Sequence, residues 1–121
     1  MDEEEFWQWL EKSWEKGRVA QVSGVIDFDD PAIRETGRYL QGHALLPRDY
    51  NLISEEQILQ IGSLLLRKGV AQKTKEAVMM ILAHQPSESA LALLSKYNLR
   101  PDPGMEYFAR AALEECAMWN E

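Results

Sequence analysis

The chain holds a single cysteine, Cys116, so no internal disulfide can form, and a reducing compartment is expected. Histidine is almost as scarce, with only His43 and His84. Those two and Cys116 stand far apart along the chain, and a zinc site of closely spaced ligands is not expected. The seven glycines are scattered and build neither a P-loop nor a dinucleotide fingerprint. No GxSxG or HExxH motif occurs. No apolar run reaches membrane-spanning length. The opening MDEEEFWQWL is acidic and aromatic, unlike a secretory leader, so a cytoplasmic location is expected. Positive charge is also in deficit. A net charge of -7 weighs against wholesale attraction to nucleic acid or anionic membrane.

What remains is a helical pattern. The 121 residues, 45% of them hydrophobic, fit one globular domain with a core of its own. Phe6, Trp7, Leu10 and Trp14 share a face of a helix expected over residues 2–16, with Glu3, Glu4 and Glu5 in its favourable first turn. Trp9 lies off that face, either as an interface anchor or against the neighbouring segment. Residues 18–28 are rich in β-branched side chains, but no second strand exists to pair with them. A packed loop or irregular helix is expected there.

Asp30-Pro31 is a helix start, and Ile33, Gly37, Leu40 and Ala44 form the apolar stripe of the helix that follows. Gly37 and Gly42 weaken that helix unless they permit close contact. Ser54-Glu55-Glu56-Gln57 is a capping box opening a helix with Ile58, Ile61, Leu64 and Leu65 inward. A further helix spans residues 74–84 with Ala77, Val78, Ile81 and Leu82 inward and His84 as a favourable cation at its end. Pro86-Ser87 starts another, with Ala90, Leu91, Leu94 and Tyr97 inward. The last runs over residues 104–119 with Phe108, Ala109, Ala112, Leu113, Cys116 and Trp119 inward.

The second half repeats itself. Ser54-Glu55 with Ile58, Ile61 and Leu64 returns about 33 residues later as Ser87-Glu88 with Leu91, Leu94 and Tyr97. Ala77, Val78 and Ile81 answer to Ala112, Leu113 and Cys116. On these spacings residues 54–119 resemble two HEAT or armadillo-type helix pairs. The tail YNLRPDPGMEYFARAALEECAMWNE also resembles helical segments of bacterial proteins, some of which carry a cysteine-rich zinc module that is absent here. The resemblance implies an all-α, right-handed solenoid fragment of antiparallel helix pairs, capped by the aromatic N-terminal helix, with a partner-binding role and no catalytic residues or cofactor.

Three functions fit these residues. The first is a protein-interaction or adaptor module, with Trp9, Met79, Met80, Arg67, Lys68, Lys73, Lys75, Lys96 and Arg100 as candidate contacts. The second is a nucleic-acid-associated domain using the same bases, which two loops on one edge of a solenoid would gather into a rim. The third is a small enzyme drawing on Asp27, Asp29 and His43, although Asp30 of that acidic cluster serves as a helix cap. Homodimerisation through the Trp-rich helix is a further arrangement of the first. Cys116 falls on an apolar stripe beside Glu114 and Glu115 and is expected in the core as an inert thiol.

Overall fold

The computed structural model describes residues 1–13, 30–43, 46, 50 and 53–121. All regular structure among them is α-helical: α1 Glu3–Ser13, α2 Pro31–Gly42, α3 Glu55–Leu65, α4 Gln72–Ala83, α5 Glu88–Leu99 and α6 Glu106–Trp119. Residues 18–28, Trp14, Asp27, Asp29 and Ala44 lie outside the described residues.

Local chemistry accounts for the helix starts. Asp30 accepts from Ala32 N at 2.9 Å, with Pro31 as the first helical residue of α2. Ser54 and Gln57 form the expected reciprocal box ahead of α3. Ser87 accepts from Ala90 N and its hydroxyl donates to Glu55, which ties the start of α5 to the start of α3. A further box, not anticipated, opens α1, where Asp2 accepts from Glu5 N at 2.8 Å and Glu5 accepts from Asp2 N.

Two helices start on residues that cannot cap, Ala71 for α4 and Met105 for α6. Other helices supply the missing acceptor. Glu3 of α1 accepts from Ala71 N at 3.1 Å and from the Thr74 hydroxyl at 2.6 Å. Glu35 of α2 accepts from Tyr107 N at 3.1 Å. Each carboxylate meets the positive end of a helix dipole while docking its own helix.

The core centres on α4. Every residue from Ala77 to Ala83 is buried, because α2, α3, α5 and α6 all pack against this helix. A helix enclosed in this way is apolar around its circumference rather than along one stripe. Phe6 and Leu10 of α1, Ile58, Ile61, Leu64 and Leu65 of α3, Leu94 of α5, and Phe108 and Cys116 of α6 complete the core. Gly62 permits close approach of α3 and α5, since a Cβ there would stand 2.2 Å from Leu93 Cδ1.

The expected stripe of α2 is overturned. Ile33 and Leu40 are 46% and 65% exposed, and nothing stands near a Cβ built on Gly37. The inward face carries Glu35, Arg38, Tyr39, Gly42 and His43 instead. Arg38 Nε donates to Glu76 at 3.0 Å and its Nη2 to the Gly104 carbonyl at 3.2 Å. Gly42 lies against Met80 Cε. Positions 35, 38, 39, 42 and 43 keep helical spacing, but hydrogen-bonding groups occupy most of them, so a hydrophobicity stripe misses the face. Trp119, expected inward, is 50% exposed.

Replacing Glu35, 3% exposed, by alanine leaves the Tyr107 amide without its acceptor. A loss of about 1–3 kcal/mol in unfolding free energy is expected by urea denaturation. A loss within error would show that α6 does not need this cap.

Candidate functional site

The residues singled out from sequence separate into buried and surface groups. Met79 and Met80 are wholly inside the core and cannot serve as contacts. Sequence spacing is compatible with one of the adjacent pair in the core; the burial of both follows from the enclosure of α4, which local spacing does not show. Trp9 is half-buried, packed on the core with its ring 6.2 Å from that of Phe6. Trp7 is also half-buried, and its indole nitrogen donates to the Thr74 hydroxyl at 3.0 Å.

Lys75 leaves the candidate rim as well. It is 7% exposed, its Nζ stands 2.7 Å from Asp102 Oδ2, and it lies over the Tyr97 ring. The Tyr97 hydroxyl donates to the same carboxylate oxygen at 2.6 Å. Hydrogen bonds from Lys75 and then Tyr97 hold the Asp102 carboxyl below its usual range, and burial pushes the Tyr97 phenol up. This cluster pins the first turn of α4 to the connection between α5 and α6. Arg67, Lys68, Lys73, Lys96 and Arg100 are exposed. Lys73 rests over the Trp7 ring at 5.2 Å.

The two histidines, expected to lie apart, come together. His43 ends α2 and His84 ends α4, and their ring centroids are 4.9 Å apart and nearly perpendicular. Glu115 of α6 stands between them. Its Oε1 is 3.3 Å from His43 Nε2, and its Oε2 is 3.0 Å from His84 Nε2. The Tyr39 hydroxyl donates to Oε1. Burial, reinforced by Glu115, raises the Tyr39 phenol well above its ordinary range, so it stays protonated as a donor.

Behind each imidazole is a carbonyl. His43 Nδ1 lies 3.1 Å from the Tyr39 oxygen and 3.2 Å from that of Leu40, and His84 Nδ1 lies 2.8 Å from the Met80 oxygen. A carbonyl only accepts, so both Nδ1 atoms carry hydrogen and both Nε2 atoms face the carboxylate. One ligand-capable atom from each of His43, His84 and Glu115 lies within 4.8 Å of the others. Glu115 had no signal in the sequence beyond its charge. Its partners come from two other helix ends and meet it only in the fold.

Cys116 takes its expected place in the core. Its Sγ points to the Gln85 carbonyl at 3.7 Å, and burial pushes the thiol up to about 11. Asp30 caps α2 as expected, and His43 is engaged with Glu115. No helix among the described residues is long and apolar enough to cross a membrane. No known family model, characterised protein or solved structure matches the chain.

Two measurements follow from this chemistry. Cys116 is expected to resist a disulfide reagent in native buffer near pH 8 and to react once the protein is unfolded in guanidinium. Fast native labelling would place the thiol at the surface. For Asp102, the folded-state carboxyl lies below its unfolded value, so its stabilising contribution is present above about pH 4 and is lost as pH falls through the folded value. Asp102→Asn is therefore expected to lower the melting temperature at pH 7, with the gap to the parent closing in acid. A gap independent of pH would remove the ion pair as its cause.

Proposed function

We propose that the chain is a cytoplasmic protein-interaction module of helical-repeat type, with α3–α4 and α5–α6 as two antiparallel, HEAT-like pairs. The pattern of packing supports the repeat: α3 meets α4 and α5, and α6 meets α5 and α4. Partners within a pair and equivalents between pairs are therefore both in contact, as stacked repeats require. The Ser87–Glu55 hydrogen bond and the close approach of α3 and α5 at Gly62 join equivalent helices.

The observation that carries the binding reading is a basic edge on an acidic protein. Arg67 and Lys68 lie in the α3–α4 connection, Lys73 in the first turn of α4, Lys96 in the last turn of α5, and Arg100 at its C-cap. The 2.7 Å Lys75–Asp102 pair joins the beginning of α4 to the α5–α6 connection, bringing these segments to one edge. On this reading the exposed bases, set against a net charge of -7, meet an acidic segment of a protein partner. Nucleic acid is the second occupant of such an edge, favoured by the same bases.

The test is affinity capture of the tagged chain from its source cells, with and without nuclease, beside a Lys68→Glu/Lys96→Glu/Arg100→Glu variant. A defined protein retained after nuclease and lost by the variant is the expected result. Loss on nuclease treatment of the parent would favour nucleic acid. Capture of the chain alone, or equal capture by the variant, would overturn the basic edge as the contact.

A further inference from the structure

We propose that His43 Nε2, His84 Nε2 and the Glu115 carboxylate bind one divalent transition-metal ion of the zinc class, joining the ends of α2 and α4 to α6. The proposal stands on geometry and charge, independently of the basic edge.

Both Nδ1 atoms donate to backbone carbonyls, so both Nε2 atoms face the carboxylate, and on a neutral ring each Nε2 carries the lone pair. Lone pairs facing an anion are held together only by protons or by a cation. Two protons or one cation can fill the two Nε2–carboxylate contacts, whose rings stand with centroids 4.9 Å apart, one of them on a side chain only 6% exposed. A single dication meets both Nε2 atoms and the carboxylate at once.

The surrounding dipoles point the same way. His43 and His84 are the C-caps of α2 and α4, so two helix C-termini converge on a carboxylate. Each such terminus carries roughly half a negative charge. The whole arrangement calls for positive charge at the position between the two Nε2 atoms and Glu115.

The distances suit a metal of zinc size. Ligand atoms about 2.0–2.1 Å from a tetrahedral ion stand ~3.3 Å from one another. His43 Nε2 stands 3.3 Å from Glu115 Oε1 and His84 Nε2 stands 3.0 Å from Glu115 Oε2, so each carboxylate oxygen keeps that spacing from one imidazole. One ligand atom from each of the three residues lies within 4.8 Å of the others. Two imidazoles and one carboxylate select zinc, cobalt, nickel or copper over calcium and magnesium, which take oxygen ligands.

A built outer shell accompanies the ligands. The backbone carbonyls of Tyr39, Leu40 and Met80 fix the imidazole tautomers, and the Tyr39 hydroxyl orients Glu115. Such partners are the usual supports of metal-binding histidines and carboxylates. The rings of Tyr50, 5.4 Å from His84, and Trp119, 6.5 Å away, flank His84. Three protein ligands leave a fourth position for an exogenous one. Cys116 is excluded from the set, since its Sγ is directed at the Gln85 carbonyl.

The full chain, freed of metal by chelation and dialysis, is titrated with zinc chloride by calorimetry and with cobalt chloride by visible absorption. One ion per chain is expected, with cobalt d–d bands, no thiolate charge-transfer band, and a melting temperature raised by zinc. His43→Ala and Glu115→Gln are each expected to weaken zinc binding by about 100-fold or more, and Tyr39→Phe by about tenfold. Circular dichroism establishes that each variant keeps its helices. His43, whose side chain is 35% exposed, is the substitution least able to disturb the core. Absence of binding by the parent, unchanged affinity in both ligand variants, or a thiolate band would each overturn the site. None of those results bears on partner capture by the basic edge.

Discussion

Enclosing α4 on every side sets the terms for the rest of the structure. A helix wrapped by α2, α3, α5 and α6 can carry apolar side chains around its whole girth, and Ala77 to Ala83 do so. Its backbone cannot be treated in the same way. The first amides and last carbonyls of any helix lack partners within it, and leaving them unpaired in an interior costs free energy. Polar chemistry is therefore concentrated at the two ends of α4. At the N-terminus, Glu3 and Thr74 supply hydrogen bonds and Lys75 pairs with Asp102. At the C-terminus, His84 and Gln85 turn back onto the carbonyls of Met80 and Ile81, and Asn120 of the C-terminal residues reaches the Gln85 carbonyl.

The same requirement explains how the outer helices are oriented. Glu3 and Glu35 each sit on a peripheral helix and cap a more central one. A carboxylate placed there gains the amide and the positive end of the dipole together. For α2 this outweighs hydrophobic patterning. Leaving Ile33 and Leu40 in water forfeits burial worth roughly 1.5–3 kcal/mol for each side chain, were it complete. Against it stand the bonds of Glu35, Arg38 and Tyr39 to α6, α4 and the Gly104 carbonyl, together with the contact of Gly42 on Met80. Turning α2 to bury its aliphatic stripe would strand those groups.

This competition marks where the sequence was legible. The existence of helices over the described residues could be read from Ser54, Ser87 and Asp30 as caps and from apolar spacing in α3, α5 and α6, because those signals act within a turn or two. The inward face of α2 could not, since its partners belong to α4, α6 and the loop before it. The burial of both Met79 and Met80 depends on how many helices surround α4, a property of the assembled fold. Lys75 reads as one more surface base because its partner Asp102 arrives from the connection between α5 and α6.

The histidine cluster is the clearest instance of the same limit, and it shows why such a site forms at this place. A metal motif readable from sequence keeps its ligands on one turn or one hairpin, where spacing alone brings them together. Here each ligand comes from a separate helix. What unites them is not spacing but the direction of helix ends. A chain returning its helices to a common edge brings their C-terminal carbonyls together, and those negative ends need donors. Histidine is suited to that position: Nδ1 satisfies the last carbonyls, and Nε2 remains directed outward from the helix. Once two helix ends are finished in this way, their Nε2 atoms point into one space, and a single carboxylate from α6 is enough to complete a donor set. The capping role expected for His84 and the ligand role proposed for it are therefore compatible, because they use opposite nitrogens of one ring.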